Sequence, residues 1–244
     1  MNRLGLLIVI ILIAVALSGI ASASAVPAAD KANGKNLVPV DVIHWQKDFA
    51  RPDGVGNDKA TTCYAFLGKY SRTLSKWNTL PVSYVINPTD SGLNQDFVIN
   101  AIQASAETWD AATSAELFNN SYTIDNTVIW GVQDFKNALT WGDYPQTNVI
   151  AVTRYWIDSA TKSIVEFDIM FDTDFYWGDA AVNHSLMDVQ NIATHELGHG
   201  IGLSDVYKTP CGNVTMFGYS DNGDISKRTL EQPDITGLQM LYGS

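Results

Sequence analysis

Residues Thr194 to Asp205, reading THELGHGIGLSD, restrict this chain more than any other stretch. From Leu186 to Ile201, Val189, Ile192, Ala193, Leu197 and Gly200 recur at helical spacing, so a helix is expected there. Ser185 would be its N-cap, Asp188 the capping-box partner and Gly202 the stop. On that helix His195 and His199 stand four residues apart, so both imidazoles leave one face and can reach a single ion. Glu196 sits at the border of the same face, where its carboxylate can meet a water on the ion without being a ligand. A bend at Gly202 lets the chain double back and bring Asp205 in as third ligand. The alternative makes Asp205 a turn residue, with the third ligand elsewhere. Imidazole nitrogen and carboxylate oxygen suit zinc, and three protein ligands leave a position for water, which marks a catalytic rather than a structural site. Glu196 is then the candidate general base.

The rest of the chain sets the frame. With 244 residues, 46% of them hydrophobic and 17% charged, it can bury one sizeable core. Arg3 precedes an apolar run from Leu4 to about Leu17, and Ala-Ser-Ala follows at 21–23 and 23–25. Residues 1–25 therefore read as a secretory signal peptide, the alternative being a retained membrane anchor. Residues 26–75 show no sustained periodicity and read as an N-terminal extension or propeptide, leaving 76–244 as the catalytic domain. A net charge of −11 argues against a nucleic-acid partner, which needs a basic surface. In an exported chain, Cys63 and Cys211 favour a disulfide. Asn119, Asn183 and Asn213 begin glycosylation triplets. His44 and His184 read as ordinary surface residues.

Regular structure is expected from Pro81, where Val82, Tyr84 and Ile86 alternate with polar neighbours. A helix capped by Asn94 should carry Val98, Ala101, Ile102, Trp109 and Ala112 as far as Thr113. Strands are expected at Tyr122–Trp130, Asn148–Trp156 and Ser163–Phe171, and a short last helix at Pro233–Tyr242. Strands interleaved with long helices give an α+β fold: a mixed twisted sheet with a first long helix, an active-site helix and a short C-terminal helix.

The pattern His-Glu-x-x-His-x-x-Gly-x-x-Asp resembles the metzincin zinc signature, and DVQNIATHELGHGIGL resembles the matrixin branch of it. VTMFGYS supplies Met216 where a metzincin has its methionine turn, and PDITGLQMLYG resembles the closing matrixin helix. The likeness runs from about Trp77 to Gly243. Asp205 departs from the usual histidine and is similar to the third ligand of snapalysin-like enzymes. The resemblance implies a zincin-like catalytic domain, one catalytic zinc, secretion, a monomer, and hydrolysis of peptide bonds by zinc-activated water with Glu196 as base. It also implies a peptide substrate bound as an added edge strand beside Val165 to Phe171. Met170 stands where a second, structural zinc would need histidine, so that ion is not expected. Asp172, Asp174 and Asp179 are candidate calcium ligands, and Tyr219 a candidate aid to the oxyanion. Cys63 could serve as a propeptide switch on the metal if it does not pair with Cys211. The competing reading is a catalytically silent, zinc-stabilised extracellular binding protein.

Overall fold

The computed structural model describes residues 37–49, 62–68 and 74–244. The expected signal peptide lies outside the described residues. In chain order the elements are β1 (Leu37–Gln46), β2 (Ala65–Phe66), β3 (Val85–Ile86), α1 (Gln95–Asp110), β4 (Thr123–Ile124), β5 (Ala138–Gly142), β6 (Val149–Asp158) and β7 (Ile164–Asp172). They continue with β8 (Trp177–Gly178), β9 (Met187–Asp188), α2 (Val189–Gly200), β10 (Leu203–Ser204), β11 (Tyr219–Ser220) and α3 (Gln232–Tyr242). The main sheet has seven strands in the order β11-β1-β6-β7-β5-β3-β4. β6 is antiparallel to both of its neighbours, and the remaining pairs are parallel. The α+β expectation holds.

β7 shows why the sheet buries both faces. Phe167, Ile169 and Phe171 enter the core beneath the helices, while Glu166 and Asp168 alternate to the other side and are nonetheless buried. Those carboxylates find donors in the loop before β5. Glu166 accepts from the backbone N–H groups of Asp134 and Phe135, and Asp168 from those of Gly131 and Ala138. A buried carboxylate without such partners would be costly, so the loop and the strand fix each other.

Asn94 caps α1 as expected, its side chain accepting from the Phe97 N–H. The helix buries Val98, Ile102, Ala106 and Trp109, and the Trp109 indole donates to the Thr194 carbonyl of α2 at 2.7 Å. That bond fixes the height of one helix against the other.

Several expectations need correcting. Among the described residues regular structure is already present at Leu37–Gln46, well before Pro81, because β1 joins the main sheet. The strand containing Val165 to Phe171 is interior, paired with β5 and β6, so it offers no free edge to a substrate. Helix α2 is capped by Asp188, whose side chain accepts from the Asn191 N–H; Ser185 instead bonds Asn183. The helix starts late because Met187 and Asp188 are drawn into pairing with β8. The expected strand at Tyr122–Trp130 shrinks to Thr123–Ile124. No helix among the described residues is long and apolar enough to cross a membrane.

Candidate metal centre

Helix α2 is almost wholly buried, and its last two turns carry His195 and His199, neither exposed to solvent. The helix stops at Gly200, and Gly202, at φ +110°, turns the chain back. A side chain at 202 would be strained in that left-handed conformation, and its Cβ would fall 2.5 Å from the Ser75 carbonyl oxygen. Three residues later Asp205 arrives. His195 Nε2 and His199 Nε2 lie 3.1 Å apart, and Asp205 Oδ1 is 3.2 Å from the first and 3.4 Å from the second.

Those separations test the fit of a metal. Donors held about 2.0–2.1 Å from a tetrahedral zinc stand about 3.3–3.4 Å from one another. The three donor atoms therefore outline one face of such a tetrahedron. Asp205 Oδ1 is buried and has no hydrogen-bond donor, which a carboxylate oxygen seldom tolerates unless a cation is meant to face it.

Further contacts hold each ligand. His195 Nδ1 donates to the Thr215 carbonyl at 2.7 Å, and His199 Nδ1 donates to the Leu203 carbonyl at 2.9 Å. Both bonds leave Nε2 facing the shared point, the usual way a protein fixes a metal-binding tautomer. The Tyr207 hydroxyl donates to Asp205 Oδ2. Thr215 and Met216 are themselves clasped by Asp234 at the start of α3, which accepts both of their backbone N–H groups. Met216 lies beneath the helix. A Cβ on Gly198 would come within 2.4 Å of the Met216 sulfur and 2.7 Å of the Trp109 ring, so only glycine lets the three pack.

Burial and mutual charge shift these groups in different directions. Burial pushes His195 down to about 3, which keeps it neutral as a ligand must be. Burial also lowers His199, but the Asp205 carboxylate outweighs it and raises the imidazole overall. Burial would raise Asp205; the two imidazoles overcome that and hold it well below the carboxylate range. Burial lifts Glu196 to about 7, beside a site where a base at neutral pH is useful. Its Oε2 accepts from the Thr153 hydroxyl of β6 at 2.6 Å, which orients the carboxylate.

Other residues named from the sequence fall as follows. Cys63 and Cys211 form a disulfide, so Cys63 is no thiol switch in this structure. Tyr219 lies on β11 with its ring against Tyr207 and Phe217; no contact ties it to the metal ligands, and it is Tyr207 that touches one. The acidic trio does not assemble as expected: Asp172 and Asp174 gather with Asp143, while Asp179 is held in an ion pair by Arg228. His184 is exposed, as expected. His44 is not a surface residue. It is fully buried, its ring lies 3.9 Å from that of His195, and its Nδ1 is 3.1 Å from Glu196 Oε1. Sequence reasoning also missed Lys227, a residue 2% exposed whose amine lies 3.1 Å from His44 Nε2 and 3.3 Å from His195 Nδ1. Neither residue stands in a motif. The one signal near His44 was a run of β-branched residues, Val38, Val40, Val42 and Ile43, interrupted by Pro39 as edge strands often are.

A helix that ends where its last two turns can share an ion with a returning carboxylate, over a methionine turn, is the ground plan of the metzincin class. Within that class the matrixin family model matches residues 76–243, and the chain belongs to the matrixins, a family of zinc metalloendopeptidases. Among curated proteins it is similar to interstitial collagenase of Oryctolagus cuniculus, 26% identical over 170 residues, covering 69% of this chain and 33% of that protein. It is similar to matrix metalloproteinase-18 of Xenopus laevis, 29% identical over 181 residues, 72% of this chain and 36% of that protein. With human matrilysin it shares 39% identity over 77 residues, 31% of this chain and 27% of that one. The chain thus matches only about a third of the length of the first two relatives.

Proposed function

We propose that this chain is an exported endopeptidase in which His195, His199 and Asp205 hold one zinc ion and Glu196 is the general base. The observation that carries the reading is the triangle of donor atoms with edges of 3.1, 3.2 and 3.4 Å, adjoined by a buried glutamate. A zinc ion bound there would supply Lewis acidity, polarising a peptide carbonyl and bringing a water's pKa toward neutrality. The protein's own part is positional. Thr153 fixes one oxygen of Glu196; the other, which His44 Nδ1 meets in this structure, would have to be released to take a proton from the attacking water and return it to the departing amine. Thr215 and Leu203 hold the imidazoles, so the ligands need no rearrangement when the metal enters. Substrate would lie extended along β6, the strand that faces the centre through Thr153. The disulfide and the apolar N-terminal run in the sequence support export.

The test is Glu196→Gln in zinc-loaded protein, assayed on a mixed peptide library. Zinc content should stay unchanged while cleavage falls about 100- to 10,000-fold, the usual worth of a general base. Cleavage surviving at wild-type rate would remove Glu196 from that role. Absence of chelator-sensitive cleavage in the wild type under every condition would favour the non-catalytic binding protein.

A further inference from the structure

The space between β6 and β11, beside the proposed metal ligands, is filled by β1. β1 runs antiparallel along the outer edge of β6, in register from Leu37 opposite Asp158 to Trp45 opposite Val149. At its C-terminal end it is parallel to β11, which follows Met216, with Trp45 opposite Tyr219 and Gln46 opposite Ser220. Both sides are bonded there: the Gln46 N–H donates to Asn148, and the Lys47 N–H to Ser220. β6 and β11 therefore stand one strand apart, each presenting backbone groups to whatever lies between, which is the geometry of β-strand addition.

β1 does not behave as an ordinary part of the core. Val38 is 47% exposed and Val40 36%, and the wholly buried side chain is that of His44. That imidazole stacks on His195 and satisfies both nitrogens in one neutral tautomer: Nδ1 donates to Glu196 Oε1, and Nε2 accepts from Lys227. Lys227 is otherwise held by the Phe217 carbonyl, so its amine forms the floor on which His44 rests. Trp45 then closes over Val149 and Val152. The hold on the groove is concentrated at residues 44 to 46, directly over the general base.

We propose that β1 is an inhibitory strand, occupying in cis the groove where an extended peptide would pair, with His44 engaging Glu196 and resting on Lys227. The proposal rests on the peptidase reading and gives that reading a built-in restraint. It works without a thiol, since Cys63 is bonded to Cys211. A peptide substrate must compete with a tethered strand, so the apparent affinity is reduced by the fraction of molecules in which β1 has left.

Two measurements on the full zinc-loaded chain test this. The first compares cleavage of a quenched fluorogenic peptide by wild type, His44→Ala, and the double variant Val42→Pro with Ile43→Pro. Alternate residues of a strand present their N–H groups to a given neighbour, so two successive prolines remove a donor to β6 whichever residue supplies it. The double variant should raise kcat/KM at least about tenfold, mainly through KM, and His44→Ala by a smaller factor. Equal kcat/KM in all three would overturn the proposal. The second needs no turnover: amide exchange of residues 37–46 in wild type, with and without a saturating peptide hydroxamate. Protection should be lost when the hydroxamate fills the groove. Protection unchanged by a bound hydroxamate would show that β1 lies elsewhere than in the substrate path. If no variant cleaves any peptide, the peptidase reading fails, while the exchange result still decides whether β1 occupies the groove.

Discussion

His195, His199 and Asp205 gather three donor atoms in a buried place; Asp143, Asp172 and Asp174 gather three at the sheet's end, where the outer two are exposed. The first set mixes imidazole nitrogen and carboxylate oxygen, the donor types that suit zinc, and its three atoms sit 3.1–3.4 Å apart. The second is three carboxylates that repel. Burial, with Asp174 and Asp143 beside it, lifts Asp172 to about 6. Each member of the first set is also gripped from behind, by Thr215, Leu203 or Tyr207. In the second, Asp172 accepts from the backbone of Asp174, its own neighbour two positions on, and Asp143 and Asp174 stand exposed. What separates the two clusters is a mixed set of donor atoms held by an outer ring of hydrogen bonds, rather than the number of donors.

The largest effect should come from breaking the first set at its weakest-precedented member. Asp205→Ala should reduce bound zinc from stoichiometric to trace and peptide cleavage by at least about 100-fold, whereas Asp174→Ala should leave zinc content alone. Metal analysis of both proteins decides it. Equal zinc in the Asp205 variant would mean the third ligand is another residue. Next, Asp234→Ala removes the clasp on Thr215 and Met216 without touching a ligand. Zinc affinity, measured by competition with a chelator, should fall about 10- to 100-fold. Cys211→Ser should cost about 3 kcal/mol of unfolding free energy in denaturant, because the bridge closes a long loop, while zinc stoichiometry at saturating metal is kept.

The smallest effect is on pH. Asp172 binds its proton more tightly folded than unfolded, so its contribution to stability is full below about pH 4 and is lost as pH rises through about 6. The wild-type melting temperature should therefore fall relative to that of Asp172→Asn between pH 4 and 7. Parallel curves for the two proteins would mean the acidic trio carries no such strain.

How much of this was legible from residues alone follows from the range over which each feature is decided. The cap at Asn94, the helical run through His195 and His199, and the bend at Gly202 are local, and each matches what its neighbours in sequence dictate. β5, reading ALTWG, was missed because a short parallel strand covered on both faces has no alternation to show. The cap of α2 was misplaced because pairing of Met187 and Asp188 with β8 overrode a sound local signal at Ser185. His44 and Glu196 are 152 positions apart, and Lys227 and His44 are 183. No local rule reaches that far, so these two residues gathered around Glu196 and His195 were the least visible.

The clasp of Asp234 on the two residues beneath His195 carries a consequence for biosynthesis. The helix that carries His195 precedes α3 in the chain, so the support under that histidine arrives only with α3. A nascent chain paused before that helix would present two imidazoles and a carboxylate without the floor that aligns them. On the proposed zinc reading, the complete binding geometry would exist only once α3 has been made.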